Sequence, residues 1–126
     1  MKRLTIGPVS LFAAVAIASL ALVPLASART DRQTSATATT IQVKGGEYFF
    51  KLSTKSIGKP GRVTFVFKNA GHIAHDFKIN RKVTPLLQPG KTARLQVTFK
   101  KKGKYSYLCT VPGHAALGMK GVFTVR

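Results

Sequence analysis

The 126-residue sequence has few of the residues on which several protein classes depend. Cys109 is its single cysteine, so an intramolecular disulfide is impossible and the use of this thiol has to be explained. Only three histidines and three acidic residues are present, against 21 lysines and arginines. No segment has the apolar periodicity of a long helix, and no repeat occurs at the periods of solenoid proteins. These absences exclude a disulfide-stapled domain and a repeat protein.

The first 28 residues have the pattern of a secretory signal peptide. A positively charged start precedes an apolar run at residues 11–23, and the Ala-Ser-Ala triplet at 26–28 matches a small-x-small cleavage site. We therefore predict that residues 1–28 are removed and that the protein acts in the periplasm or on the outer face of a membrane. The alternative is an uncleaved anchor, because the apolar run over 4–28 is nearly long enough to span a bilayer.

The remaining sequence predicts a flexible leader over 29–40 and one folded domain over 41–126. The leader is rich in Thr, Ser and Ala and lacks apolar periodicity. The domain shows short alternating segments divided by Gly, Pro and Asn, most clearly at 62–69 and 94–100. This pattern predicts an all-β fold, a Greek-key sandwich or barrel of about seven or eight strands. The aromatic residues expected to supply much of its core are Tyr48, Phe50, Phe65, Phe67, Phe77, Phe99, Tyr105, Tyr107 and Phe123.

A short loop near the C-terminus concentrates soft metal donors. Cys109, His114 and Met119 follow one another at equal spacing, and no carboxylate lies between them. A thiolate, an imidazole and a thioether suit copper better than magnesium, calcium or manganese. In an oxidising compartment an unpaired thiol is also at risk unless it is buried or bound. The loop therefore predicts a copper site that uses Cys109.

His75 is the candidate for the remaining ligand. It shares its parity with Phe77 and Ile79, which places the imidazole on the apolar, inward face of a strand. A sandwich can bring this strand beside the Cys109 loop, giving two imidazoles and one thiolate with Met119 as a weak axial donor. That is the arrangement of a blue-copper electron-transfer site. His72 competes for the same position, although a surface metal-binding or pH-sensitive role is the alternative for it.

Each candidate ligand also has an ordinary structural interpretation. His75 alone could be a hydrogen-bonded core residue, and His114 an exposed loop residue. Cys109 and Met119 alone could be small or flexible core fillers. The four together in one order favour the metal site, and copper could bind without Met119 because an axial position tolerates weak bonding.

Two segments resemble the plastocyanin/azurin-type cupredoxins. They are Asn-Ala-Gly-His-Ile-Ala-His-Asp-Phe at 69–77 and the loop at 109–119 with its Pro-Gly-His and Gly-Met-x-Gly elements. The resemblance covers residues 41–126 and implies a Greek-key sandwich, a type 1 copper that cycles between Cu(I) and Cu(II), and the shuttling of single electrons. The Cys-to-His spacing is similar to that of azurin, whereas the extra residue before Met119 is more like plastocyanin or auracyanin.

The resemblance also implies roles for residues around the ligands. Asp76 stands where many relatives have Asn, and we hypothesise that its side chain bonds toward Thr110 and stiffens two loops. In the family the residue equivalent to His114 passes the electron at the surface. The small apolar residues around it would form a docking patch for redox partners, and they are Pro112, Ala115, Ala116 and Leu117.

The net charge of +18 has two interpretations. The predicted signal peptide and the spread of the basic residues argue against nucleic acid as a partner. Most of these charges can simply form a solvated, self-repelling surface, and we expect a monomer. The alternative is attraction to acidic redox partners, or to an anionic membrane or envelope surface, which would weaken with salt.

The predicted function is electron transfer by a copper protein that is not an enzyme. Copper storage, delivery or resistance is the alternative, because it would use the same ligands in a more labile site. A cysteine enzyme is disfavoured, since the residues around Cys109 do not resemble a catalytic cysteine. A copper oxidase or reductase would require more histidine ligands than the three present.

Overall fold

The structure is a computed structural model. It describes residues 7, 8, 10, 12–14 and 38–126. The predicted cleavage site at 26–28 and the predicted leader up to residue 37 lie outside the described residues, so both stay predictions. The chain divides into two units, residues 1–32 and 33–126, and the strands found among the described residues lie in the second. Within the described residues there is no helix with the length and apolar character needed to cross a bilayer.

The described part of the second unit contains nine β-strands in two sheets. The strands are β1 Thr39–Gly46, β2 Phe49–Leu52, β3 Ser56–Ile57, β4 Gly61–Asn69, β5 Lys78–Ile79, β6 Lys82–Val83, β7 Thr92–Phe99, β8 Gly103–Leu108 and β9 Lys120–Val125. One sheet has the order β2-β1-β4-β7 and the other the order β3-β9-β8-β5-β6. The predicted all-β sandwich is confirmed, with more strands than the expected seven or eight. The two short strands without a predicted counterpart are β3 and β6, which are two residues long each.

The first strand begins slightly earlier than the domain boundary predicted from the sequence. Thr39 and Thr40, assigned to the leader, already pair in parallel with Val63 and Thr64 of β4. The same ladder continues to Gly45 opposite Asn69. The neighbouring apolar residues of this ladder, such as Ile41 beside Phe65, are buried. A slip of one residue would expose those of one strand to solvent, so their burial fixes the register.

The core is largely aromatic, as predicted. Phe65 of β4 packs against Phe99 and Phe123 with nearly perpendicular rings, at centroid distances of 6.3 and 5.4 Å. Full burial of one such side chain contributes roughly 1.5–3 kcal/mol. Three of the predicted aromatic residues are only half-buried, namely Tyr48, Phe50 and Tyr105. The buried six are Phe65, Phe67, Phe77, Phe99, Tyr107 and Phe123.

Candidate metal centre

The strand register brings the predicted ligands to one end of the strands of the second sheet. Leu108, the last residue of β8, lies opposite Lys78 at the start of β5 and Lys120 at the start of β9. Cys109 follows this position directly, and Met119 precedes β9. His75 was expected on a strand, but it lies three residues before β5 and pairs only through an isolated bridge with Leu87. Three chain segments that are distant in sequence therefore converge where β8 ends.

The side chains of His75, Cys109 and His114 form a compact donor cluster. The two Nδ1 atoms of the histidines are 3.1 Å apart. The Cys109 Sγ lies 3.5 Å from Nδ1 of His114 and 3.9 Å from Nδ1 of His75. All three residues are buried, and Cys109 and His75 are almost fully excluded from solvent. Burial raises the pKa of the Cys109 thiol, because a thiolate without a counter-charge is poorly solvated there.

Met119 is also fully buried, and its backbone closes the loop that carries the other donors. Its carbonyl accepts a hydrogen bond from the Cys109 N–H at 3.1 Å, and its N–H donates to the His114 carbonyl at 3.1 Å. Gly113 and Gly118 have φ values of 83° and 117°, a conformation that favours glycine. The loop is therefore closed by its own backbone hydrogen bonds.

A buried carboxylate joins this loop to the strand that follows His75. Asp76 Oδ1 accepts a hydrogen bond from the Thr110 N–H at 2.6 Å, and Oδ2 accepts one from the Thr110 hydroxyl. The predicted contact between these two residues is confirmed. Because Asp76 follows one donor and Thr110 follows another, the contact fixes the spacing of His75 and Cys109.

The segment before His75 is held by the side chain of Asn69 at the end of β4. Its Nδ2 donates to the carbonyls of Ile73 and Leu87, both at 2.8 Å, and its Oδ1 accepts from the Gly71 N–H at 2.9 Å. His75 and Leu87 also exchange two backbone hydrogen bonds. These contacts leave the His75 backbone few alternative positions.

Glu47, which no sequence pattern had indicated, contacts the buried His75 ring. Glu47 Oε1 lies 3.0 Å from the ring nitrogen Nε2 of His75 and also accepts the backbone N–H groups of His72 and Ile73. The hydrogen bond with His75 and those with the two backbone groups lower the pKa of Glu47 to about 2. One feature of the sequence could have indicated a role for this residue: Glu47 is one of three acidic residues in a strongly basic chain.

His72 lies outside the donor cluster. Its side chain is 96% exposed, and its Nδ1 is 3.4 Å from Glu47 Oε2. The structure therefore favours His75 over His72 as the first ligand. A role for His72 at the surface stays a prediction.

The donor cluster suits copper. The ligand atoms of His75, Cys109 and His114 all lie within 4.8 Å of one another, so one ion could contact all three. Two imidazole nitrogens and a thiolate combine intermediate and soft donors, which copper accepts in both of its common oxidation states. No carboxylate oxygen belongs to this group of described residues. The Asp76 carboxylate bonds instead to Thr110, the neighbour of Cys109, and the Glu47 carboxylate bonds to Nε2 of His75.

Comparison with known proteins also indicates a copper-binding protein. The family model for copper binding proteins of the plastocyanin/azurin family matches residues 36–126. Dithionite-reduced auracyanin from Roseiflexus castenholzii has 26% sequence identity and a TM-score of 0.60, with 71% of this chain and 98% of that chain covered. Auracyanin B has a TM-score of 0.59 at 21% identity, covering 71% of this chain and 89% of that chain, which shows a shared fold.

A curated relative matches over a shorter segment. The copper-resistant cuproprotein CopI of Pseudomonas aeruginosa is 44% identical over 41 residues, which are 32% of this chain. The aligned segment spans 23% of the length of CopI. A multicopper oxidase is also similar in fold, with 16% identity, a TM-score of 0.53 and coverage of 69% of this chain and 43% of that one.

Proposed function

Because this chain belongs to the plastocyanin/azurin family of copper-binding proteins, we propose that it carries single electrons between extracytoplasmic redox partners. His75, Cys109 and His114 would hold one copper ion, with Met119 as the weak axial donor. The bound ion would supply a one-electron couple between Cu(I) and Cu(II). On this proposal the protein is a carrier and not an enzyme.

The observation that carries this proposal is the closed, buried arrangement of the donors. Backbone bonds tie Cys109 to Met119, and Asp76 ties the Cys109 loop to the His75 segment. A scaffold with this many constraints keeps the donor positions similar in both oxidation states. Small movement of the donors favours rapid electron exchange, because little structural rearrangement accompanies each transfer.

The surface near His114 supports electron passage at that residue. His114 is 7% exposed, whereas His75 is fully buried, and the Tyr48 ring packs on His114 at a centroid distance of 5.0 Å. Leu117 and Ile73 expose 62% and 43% of their surfaces on the segments that carry the ligands. Exposed apolar side chains of this kind suit brief docking of a redox partner. The basic residues elsewhere on the domain would attract an acidic partner toward it.

Copper resistance or delivery is the second candidate function. The match to CopI favours it, since that relative is named as a copper-resistant cuproprotein and is 44% identical over the aligned segment. The two candidates differ in what leaves the protein. A carrier exchanges electrons and keeps its ion, whereas a delivery protein transfers the ion to an acceptor.

The test begins with Cu(II) added to the purified, metal-free protein. We expect an intense visible band from thiolate-to-copper charge transfer, which Cys109→Ala abolishes and His72→Ala leaves intact. Electron self-exchange is then measured on the loaded protein and compared with the rate of Cu(I) transfer to a competing chelator. Fast self-exchange with slow ion loss supports the carrier, and the reverse result supports delivery. A folded protein that stays colourless with Cu(II) contradicts both.

A further inference from the structure

The acidic residues of the folded domain are concentrated at the donor cluster. Residues 38–126 contain two of them, Glu47 and Asp76, among the many lysines and arginines that give the chain its charge of +18. Asp76 bonds to Thr110, the neighbour of Cys109, and Glu47 bonds to the ring of His75. Within residues 38–126, both acidic side chains thus lie in the immediate surroundings of the site.

The contact with Glu47 decides which nitrogen of His75 faces the other donors. An ionised carboxylate can only accept hydrogen bonds, so the Nε2 of His75 at 3.0 Å must carry the hydrogen. In the neutral ring Nδ1 then has a free lone pair. That atom points toward Nδ1 of His114 at 3.1 Å and toward the Cys109 sulfur. The carboxylate therefore selects the tautomer that a metal ligand requires.

Glu47 is itself held in place by the loop that precedes His75. Its Oε1 accepts the N–H of His72 at 2.7 Å and the N–H of Ile73 at 3.0 Å. Gly71 lies so close that a Cβ at that position would overlap the Glu47 carboxylate. The carboxylate and the loop thus form one unit, and Glu47 lies between the solvent and a ring that is fully buried.

We propose that Glu47 is a positioning residue of the copper centre, whose carboxylate fixes the His75 ligand and whose negative charge favours Cu(II) over Cu(I). The proposal rests on copper binding by His75 as described under the proposed function. A negative charge beside a ligand stabilises the more highly charged metal ion, and the 3.0 Å contact with the buried His75 ring places this charge next to the ligand. The presence of Glu47 therefore lowers the reduction potential of the centre.

Two substitutions separate the charge from the hydrogen bond. Glu47→Gln can keep all three contacts of Oε1, because an amide oxygen also accepts, while its NH₂ group can donate to Nδ1 of His72. Glu47→Ala removes both charge and acceptor. His72→Ala is the matched control, since it removes the exposed partner of Oε2 and leaves the Glu47–His75 contact. The measurements are the ¹⁵N NMR shifts of the His75 ring in the metal-free protein, and the reduction potential and Cu(I) and Cu(II) affinities of the loaded protein.

We expect Glu47→Gln to keep the Nε2–H tautomer of His75 and to lower the ratio of Cu(II) to Cu(I) affinity by about tenfold. For a one-electron couple that change raises the reduction potential by about 59 mV. Glu47→Ala should populate the other tautomer in the metal-free protein and weaken Cu(II) binding further. His72→Ala should change neither property.

An unchanged tautomer in Glu47→Ala together with an unchanged potential in Glu47→Gln would overturn the proposal. The NMR measurement needs no copper, so a Glu47→Ala protein that fails to load still gives a result. If Glu47→Ala does not fold, the potential of Glu47→Gln decides. Slow electron self-exchange with a shifted Glu47→Gln potential would instead contradict the carrier function and leave the role of Glu47 supported.

Discussion

The N–H of Cys109 donates to the carbonyl of Met119 at 3.1 Å, which closes the ligand loop on itself. The residues between them include His114, whose carbonyl accepts from the Met119 N–H. Three predicted ligands thus share one hydrogen-bonded unit. The positions of the donors follow from the backbone of the loop, and changes to that backbone should affect the site before they affect the rest of the sandwich.

Gly118→Ala tests the loop backbone. Gly118 has a φ of 117°, and a Cβ there would lie 3.2 Å from the Tyr48 carbonyl oxygen. We expect the metal-free protein to lose about 1–3 kcal/mol of unfolding free energy, because the side chain strains the backbone. Urea unfolding measures this loss. Gly58→Ala is the control, since nothing lies near its Cβ and we expect a change within about 0.5 kcal/mol. Equal stabilities of the two variants would contradict the strained-loop account.

Asp76→Ala tests the contact that joins the two ligand-bearing segments. Removal of the carboxylate leaves the Thr110 N–H and hydroxyl without their acceptors. We expect a loss of about 1–3 kcal/mol in unfolding free energy and weaker Cu(II) binding in a titration followed by the visible band. Asp76→Asn should recover part of both, because the amide oxygen can still accept from the N–H. Unchanged copper affinity and reduction potential in Asp76→Ala would show that the contact does not support the site.

Much of the fold was predictable because its signals are local. The alternation of apolar and polar residues along β4 and β7 matches their burial patterns. The three donors of the loop were recognisable from residue type and spacing alone. By contrast, β6 is too short to show alternation, and the Asn80-Arg81 turn before it has positive φ values without a glycine to indicate it.

Glu47 could not be assigned from the sequence because its partner is far away along the chain. It lies between β1 and β2 and contacts a ring 28 residues later. The contact depends on the parallel pairing of β1 with β4, which brings Gly45 opposite Asn69. Such pairing is a property of the assembled sheet, and no local pattern around Glu47 specifies it. The same applies to Tyr48, expected in the core but half-buried against His114.

Asn69→Ala tests whether the segment before His75 is held from the end of β4. The substitution removes the Nδ2 donor of the Ile73 carbonyl and one of the two donors of the Leu87 carbonyl, which keeps its bond from the His75 N–H. It also removes the Oδ1 acceptor of the Gly71 N–H. Loss of a hydrogen-bond partner by a buried group costs about 1–3 kcal/mol, so we expect a lower midpoint in thermal unfolding of the metal-free protein. Lys68→Ala is the neighbouring control, since its side chain is exposed. A midpoint for Asn69→Ala equal to that of the control would contradict this assignment.

Copper removal should lower the stability of the wild-type protein. A ligand that binds the folded state alone stabilises it by about 2.7 kcal/mol when its free concentration is 100 times the dissociation constant. We expect the unfolding midpoint to rise on addition of copper and to return after treatment with a chelator. In Cys109→Ser the rise should be much smaller, because a hydroxyl is a poor substitute for the thiolate. A rise of the same size in Cys109→Ser would place the bound ion elsewhere.

Salt dependence tests the role proposed for the positive charge. The chain carries a net charge of +18, so an anionic reductant should be drawn to the protein and reach the surface beside His114 more often. We expect the rate of reduction of the copper-loaded protein by hexacyanoferrate(II) in stopped-flow experiments to fall as ionic strength rises. The Debye length shortens from about 30 Å at 0.01 M to about 8 Å at 0.15 M, so the effect should be largest across that interval. A cationic reductant should show the opposite trend, because screening removes repulsion instead of attraction. Rates that do not change with salt for either reagent would mean that the basic surface keeps the protein soluble without steering its partners.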